Sequence, residues 1–145
     1  MALKRELIGQ RVYLDANIVI FVVEEPIPLT AGQFALFTAM EEGLVRAVTS
    51  ELSLTECLVH PLTINDIGLT STYEKLLSSE AGVELVPVSR EILIRAAHVR
   101  ARHKLKTPDA IHVASAMSSG ATVFLTADGR IKAPPEIRIE KWRNL

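Results

Sequence analysis

Val12-Tyr13-Leu14-Asp15-Ala16-Asn17 sets three apolar, β-prone residues directly against an acid and an amide. A run this short, apolar without alternation, reads as a strand buried on both faces, and its polar end marks where the chain leaves the core. Working outward, Ile18 to Val23 suits either a second strand or a short buried helix. Glu24-Glu25-Pro26-Ile27-Pro28 breaks whatever precedes it. Thr30-Ala31-Gly32-Gln33 is a capping box, so a helix is expected from there to about Gly43. Val45 to Thr49 reads as the next strand, and Ser50 can cap a helix ending near Pro61.

Beyond that point the alternation continues. Thr63 to Ser79 has helical character interrupted at Asn65 and Gly68. Val83 to Val88 reads as a third strand, and Ser89 can cap a helix from Arg90 to about Lys104. Thr107 caps another helix with Pro108 at its first position, and Gly120 ends it. Thr122 to Leu125 is a fourth strand, and Ile137 to Ile139 a possible fifth. Short apolar strands separated by helices specify a mostly parallel sheet of about five strands covered on both faces, a three-layer α/β/α sandwich. The 145 residues fit one domain, taken as 1–145, with 48% apolar content, enough for a core without staples.

The composition narrows the function. Net charge is −1, so any attraction to nucleic acid must be local. Cys57 is the only cysteine, which excludes an internal disulfide and fits a reducing, cytoplasmic setting. The first ten residues lack the apolar run of a signal peptide, and Ile18 to Val23 is far too short to span a bilayer.

The chain has four aspartates, at 15, 66, 109 and 128. Asp15 follows the first strand, Asp128 follows the fourth, and Asp109 opens a helix. Ligands of open α/β sheets bind at the carboxyl edge of the strands. Glu56, about two turns into the helix after the second strand, can lean over the same edge. Each acid has an ordinary explanation as well. Asp15 can serve its own loop, Glu56 can close a capping box begun at Ser53, Asp109 can complement a helix N-terminus, and Asp128-Gly129 is a turn signal. Four such coincidences on one rim are less economical than one site. Converging carboxylates repel one another and would repel a phosphate, unless a cation sits among them. Oxygen donors suit Mg²⁺ or Mn²⁺, which can activate water and orient a phosphodiester. Asn17 and Thr126 add polar groups that can orient the carboxylates.

Taken in order, Val12 to Asn17, then Glu56, then Thr107-Pro108-Asp109-Ala110-Ile111-His112-Val113-Ala114, then Phe124-Leu125-Thr126-Ala127-Asp128, the pattern resembles the PIN-domain ribonuclease family. Within it the chain resembles the stand-alone toxins of VapBC-type toxin–antitoxin modules. The resemblance spans about Val12 to Ile139. It implies a five-stranded parallel sheet and binding of one or two Mg²⁺ or Mn²⁺ ions by Asp15, Glu56, Asp109 and Asp128. It also implies endonucleolytic cleavage of RNA, homodimerisation, and inhibition by an antitoxin segment lying in the acidic groove. Glu51, at the start of the same helix, is the alternative to Glu56.

Residues 90 to 106 hold Arg90, Arg95, Arg100, Arg102, Lys104 and Lys106 against a single acid, Glu91. This stretch is either a solvated face, opposite a core stripe of Leu93, Ala97 and Ala101, or a guide for RNA phosphates; Arg102 and Lys106, with Arg130, are the expected phosphate contacts. His112 can be read as a ligand, but a hard cation prefers oxygen, which favours a packed or capping histidine. Cys57 reads as a small core residue. Phe34, Leu36, Phe37 and Met40 suit a core face, or a groove for a partner helix. Two rivals to the nuclease reading differ in class. A haloacid-dehalogenase-like phosphatase would use Asp15 as nucleophile but wants an acid where Asn17 stands. A binding module would keep the fold without the chemistry.

Overall fold

The computed structural model describes residues 3–145. Five strands form one sheet, β1 (Arg11–Leu14), β2 (Arg46–Ser50), β3 (Glu84–Val86), β4 (Val123–Thr126) and β5 (Arg138–Lys141), in the order β3-β2-β1-β4-β5. Every pairing is parallel. The chain therefore builds outward from β1 on one side, returns, and builds outward from β4 on the other. The crevice between β1 and β4 is the switch point where a sheet of this kind presents a ligand site.

Six helices cover the sheet: α1 (Ala16–Glu24), α2 (Ala31–Glu41), α3 (Leu52–Thr63), α4 (Ile67–Leu76), α5 (Arg90–His103) and α6 (Thr107–Ser118). Alternation along β1 sorts the core into layers. Val12 and Leu14 pack with Ile18 of α1 and Leu36 and Ala39 of α2 on one face. Tyr13 points the other way, with Val48 and Phe124, into the side chains of α5 and α6. In register Tyr13 sits between Val48 and Phe124, and the Tyr13 and Phe124 rings stack with centroids 5.1 Å apart. A third, smaller cluster joins Val19, Cys57, Tyr73 and Leu77.

The ambiguity at Ile18 to Val23 resolves as helix. Asp15 turns the chain, its carbonyl takes the amide of Ile18 at 3.0 Å, and burial of Ala16, Ile18 and Val19 outweighs the β preference of the branched side chains. The capping box forms as read: Gln33 N–H donates to Thr30 Oγ1, and Thr30 N–H donates to Gln33 Oε1, each at 3.0 Å. Of the apolar residues on α2, Leu36 is buried, Phe37 packs edge-on against Trp142, and Phe34 lies 65% exposed.

Three details differ from the sequence reading. Helix α3 runs through Pro61 to Thr63, and the Pro61 carbonyl takes the Asp66 amide at 2.9 Å. Helix α6 begins at Thr107, so the N-cap position falls on Lys106, without a side-chain cap. The buried face of α5 is Ile92, Ala96 and Val99, while Leu93 is 48% exposed and Ala97 and Ala101 face outward with it. The stripe of Leu93, Ala97 and Ala101 starts one residue further round the helix and lines a hollow between α5 and α6. Among the described residues, no helix is long and apolar enough to cross a membrane.

Candidate active site

Asp15 stands where β1 ends, and its backbone amide donates to Leu125 of β4 at 3.0 Å, which ties the two strand exits together. Its side chain is 5% exposed. Oδ2 accepts from Thr126 Oγ1 at 2.7 Å and from Asn17 Nδ2 at 3.2 Å. Asn17 also accepts the Ala127 amide at 3.1 Å through Oδ1, and Thr126 Oγ1 takes the Asp128 amide at 3.0 Å. These two uncharged side chains thus hold the β1 exit, the Asp15 carboxylate and the turn carrying Asp128 as one unit.

The remaining acids arrive from other elements. Asp109 lies in the first turn of α6, half-buried. Glu56 lies on α3 and meets His112 of α6, whose Nε2 contacts Glu56 Oε1. The possibility of a capping box begun at Ser53 is removed, because α3 starts at Leu52 and Ser53 is buried against Thr49 at 2.8 Å. Glu51 lines a hollow with residues 77–79 and 82–85, which includes none of Asp15, Glu56, Asp109 and Asp128. Asp128 is gripped by Arg130, with Nε 3.0 Å from Oδ1 and Nη2 3.2 Å from Oδ2.

The acids feel one another. Burial pushes the Asp15 carboxyl above its ordinary range; His112 and the Thr126 hydroxyl pull it back, and Glu56 and Asp109 push it further up. Burial also raises Asp109, with Asp128 and Glu56 adding to the rise and His112 and Lys106 opposing it. Asp128 goes the other way, because the hydrogen bonds from Arg130 hold it below the usual carboxylate value. Among the described residues, no three His, Cys, Asp or Glu side chains are drawn together closely enough to hold an ion as they stand. The hydrogen bonds explain why: Asp15 turns to Thr126, Glu56 to His112, and Asp128 to Arg130.

Of the basic residues singled out, Lys106 and Arg130 both act on Asp109 and Asp128. Arg102 does something else. With Arg95 and His98 it lines a groove of about 1030 Å³, walled also by Met117, Pro134 and Ile137, whose lining includes none of the four acids. The sequence reading missed the role of Tyr13. Its hydroxyl lies 2.6 Å from His112 Nδ1 across 99 residues of chain, a pairing that spacing cannot reveal.

The fold is that of a parallel α/β/α protein whose strand order switches between β1 and β4, with Asp15, Glu56, Asp109 and Asp128 near enough for their charges to act on one another. Residues 12–137 match the family model of the PIN domain, and the chain belongs to the PIN-domain family, whose members are generally nucleases. The fold is similar to a chain of a toxin–antitoxin complex from Klebsiella pneumoniae (20% identity, TM-score 0.63, 87% of this chain and 94% of that one). It is similar to a chain of VapBC2 from Rickettsia felis bound to a promoter DNA fragment (14% identity, TM-score 0.65, 91% and 98%). It is also similar to a chain of VapBC-5 from Mycobacterium tuberculosis (19% identity, TM-score 0.59, 92% and 99%). At these identities the likeness is one of fold. No curated protein matches the chain.

Proposed function

We propose that the protein is a metal-dependent endoribonuclease that hydrolyses RNA phosphodiester bonds and serves as the toxin of a toxin–antitoxin module, with residues 1–145 as its nuclease domain. The observation that carries this reading is the Asp15 carboxylate, 5% exposed and raised by burial in the company of Glu56 and Asp109. A buried anion beside other anions is costly unless a cation joins it. The donor set is all carboxylate oxygen, which suits Mg²⁺ or Mn²⁺ better than a softer ion. Asp15, Asp109 and Asp128 would hold the ion, with Glu56 completing the site or orienting the attacking water. When bound, the ion would supply Lewis acidity toward the phosphate and make a bound water easier to deprotonate.

The chain's own residues do the rest. Thr126 and Asn17 fix the Asp15 carboxylate, so its orientation is set before substrate arrives. Lys106 and Arg130 offset the negative field at Asp109 and Asp128 and are the cations best placed to meet a phosphate. Arg102, in its separate groove, would contact RNA away from the scissile bond. Solved structures similar to this chain include toxin–antitoxin complexes. They support an antitoxin partner, which we take to lay a segment in the acidic crevice; a homodimer as the working form belongs to the same proposal. The free, buried Cys57 supports a reducing, cytoplasmic setting.

The test is cleavage of RNA by the purified chain in Mn²⁺ or Mg²⁺, abolished by EDTA and by Asp15→Asn, with growth arrest on expression of the wild type and not of that variant. Cleavage undiminished by EDTA overturns the mechanism. Cleavage without growth arrest overturns the toxin role and leaves the nuclease standing.

A further inference from the structure

His112 is 1% exposed, and both of its ring nitrogens are partnered. Helix α6 carries it one turn beyond Asp109, so the same helix that delivers one acid to the crevice also delivers the partner of another. Nε2 meets the Glu56 carboxylate, and Nδ1 lies 2.6 Å from the Tyr13 hydroxyl. Tyr13 cannot swing away. It is fully buried on β1, stacked on Phe124 at 5.1 Å and set edge-on to the imidazole at 5.8 Å.

We propose that His112 is a positioning residue for Glu56, and that Tyr13 fixes the hydrogen of the imidazole on the nitrogen that Glu56 accepts. This rests on reading Glu56 as a carboxylate of the nuclease site. A carboxylate only accepts, so the nitrogen facing it carries a hydrogen. In a neutral imidazole Nδ1 is then bare, and the Tyr13 phenol, which keeps its own hydrogen at neutral pH, donates to it. The three groups then form one directed chain, from Tyr13 O–H to Nδ1 and from Nε2–H to Glu56. The opposite arrangement would set a bare ring nitrogen against a carboxylate, two acceptors in contact. Ligation of an ion by His112 is removed by the same geometry, because neither nitrogen is spare.

Glu56 needs such a partner. Its side chain is 33% exposed on an α3 helix otherwise fixed by Ser53, Cys57 and Pro61, and nothing in its own helix orients the carboxylate. A donor from a buried, rigid ring removes that freedom before ion or substrate binds.

Two measurements on the full chain test this. The first is nitrogen-15 NMR of the histidine rings in ion-free protein. The expected result is a hydrogen on His112 Nε2 whose resonance shifts in Glu56→Gln, with a fixed ring state that is lost in Tyr13→Phe. An Nε2 without hydrogen, or a resonance indifferent to Glu56→Gln, overturns the proposal. The second is Mn²⁺ titration. His112→Leu should weaken binding by about 10- to 100-fold, the usual effect of losing an orienting partner. His112→Gln, whose amide can still donate to Glu56, should recover most of that loss. In a Glu56→Gln background His112→Leu should cost nothing further. An equal loss in both backgrounds, or none in either, overturns the proposal. Wild-type protein that takes up no Mn²⁺ would overturn the metal-nuclease reading instead, while the spectrum still judges the pairing by itself.

Discussion

The Asp15 carboxylate accepts the Thr126 hydroxyl at 2.7 Å, inside the core, at the point where β1 and β4 both end. The bond joins the residue that begins the crevice to the strand that closes it. Thr126 makes a second bond there, accepting the Asp128 amide at 3.0 Å. Thr126→Val keeps the shape and removes both. It should cost about 1–3 kcal/mol of stability, because a buried carboxylate loses a donor, and should weaken Mn²⁺ binding by about 10-fold. Thr126→Ser should restore both properties. Denaturant melts and Mn²⁺ titration of the two variants measure this, and a Thr126→Val protein indistinguishable from wild type would contradict it.

Burial and neighbouring acids raise the Asp15 carboxyl above its unfolded value, so the folded state binds that proton more tightly than the unfolded chain does. The stability this group contributes is then fully present below the unfolded pKa and is lost as pH rises through the folded one. At neutral pH the ionised side chain is a net burden on the ion-free protein. Asp15→Asn should therefore raise the ion-free melting temperature at pH 7, by about 4 °C for each kcal/mol relieved. The gain should shrink as pH falls through the raised folded value, where the wild-type carboxyl takes up its proton. A variant less stable than wild type at pH 7 would contradict the assignment of Asp15 as a strained, ion-seeking acid.

Arg130 holds both oxygens of Asp128, at 3.0 and 3.2 Å, yet its side chain is 87% exposed. It therefore competes with an ion for Asp128 and at the same time offers charge to a phosphate. Arg130→Ala should tighten Mn²⁺ binding by a few-fold, a modest effect because exposed pairs are screened. It should raise KM for RNA and flatten the salt dependence of RNA binding. Mn²⁺ titration and RNA binding at two salt concentrations separate the two effects. Weaker Mn²⁺ binding in the variant would show that Arg130 supports the ion site rather than opposing it.

On α5 two apolar stripes compete for the core: Ile92, Ala96 and Val99 are buried, and Leu93, Ala97 and Ala101 are not. Ile92→Ala should cost about 2–4 kcal/mol. Leu93→Ala should cost roughly 1 kcal/mol or less, in keeping with its partial exposure. Chemical denaturation of both variants decides between the faces, and the reverse order would place the sheet on the other side of the helix.

That helix also shows where sequence reasoning runs out. Periodicity identifies α5 as a helix but cannot choose between stripes one residue apart, because the choice depends on where the sheet lies. The same limit applies at Ile18 to Val23, where β-branched residues favour a strand and only the burial of Ile18 and Val19 against the sheet makes a helix. Elements bounded by local chemistry were legible: the Thr30–Gln33 box, the Ser89 cap, and the short apolar strands that specify a covered parallel sheet. The candidate site divides in the same way. Asp15, Asp109 and Asp128 announce themselves by their positions beside strands and a helix start. The pairing of Glu56 with His112 bridges 56 residues, and that of His112 with Tyr13 bridges 99, so neither leaves a local trace. The grip of Arg130 on Asp128 is local, yet a charge beside an acid can equally be read as a phosphate contact. Geometry alone shows that it is first an ion pair.

The central claim is that four acids, three of them now turned to partners of their own, are drawn together by a divalent cation. Calorimetric titration of Mn²⁺ into ion-free wild-type protein, Asp15→Asn and Asp109→Asn tests it most directly. The account predicts saturable binding to the wild type and at least about a 10-fold loss in each variant. Wild-type protein that binds no Mn²⁺, or variants that bind it as the wild type does, would contradict it.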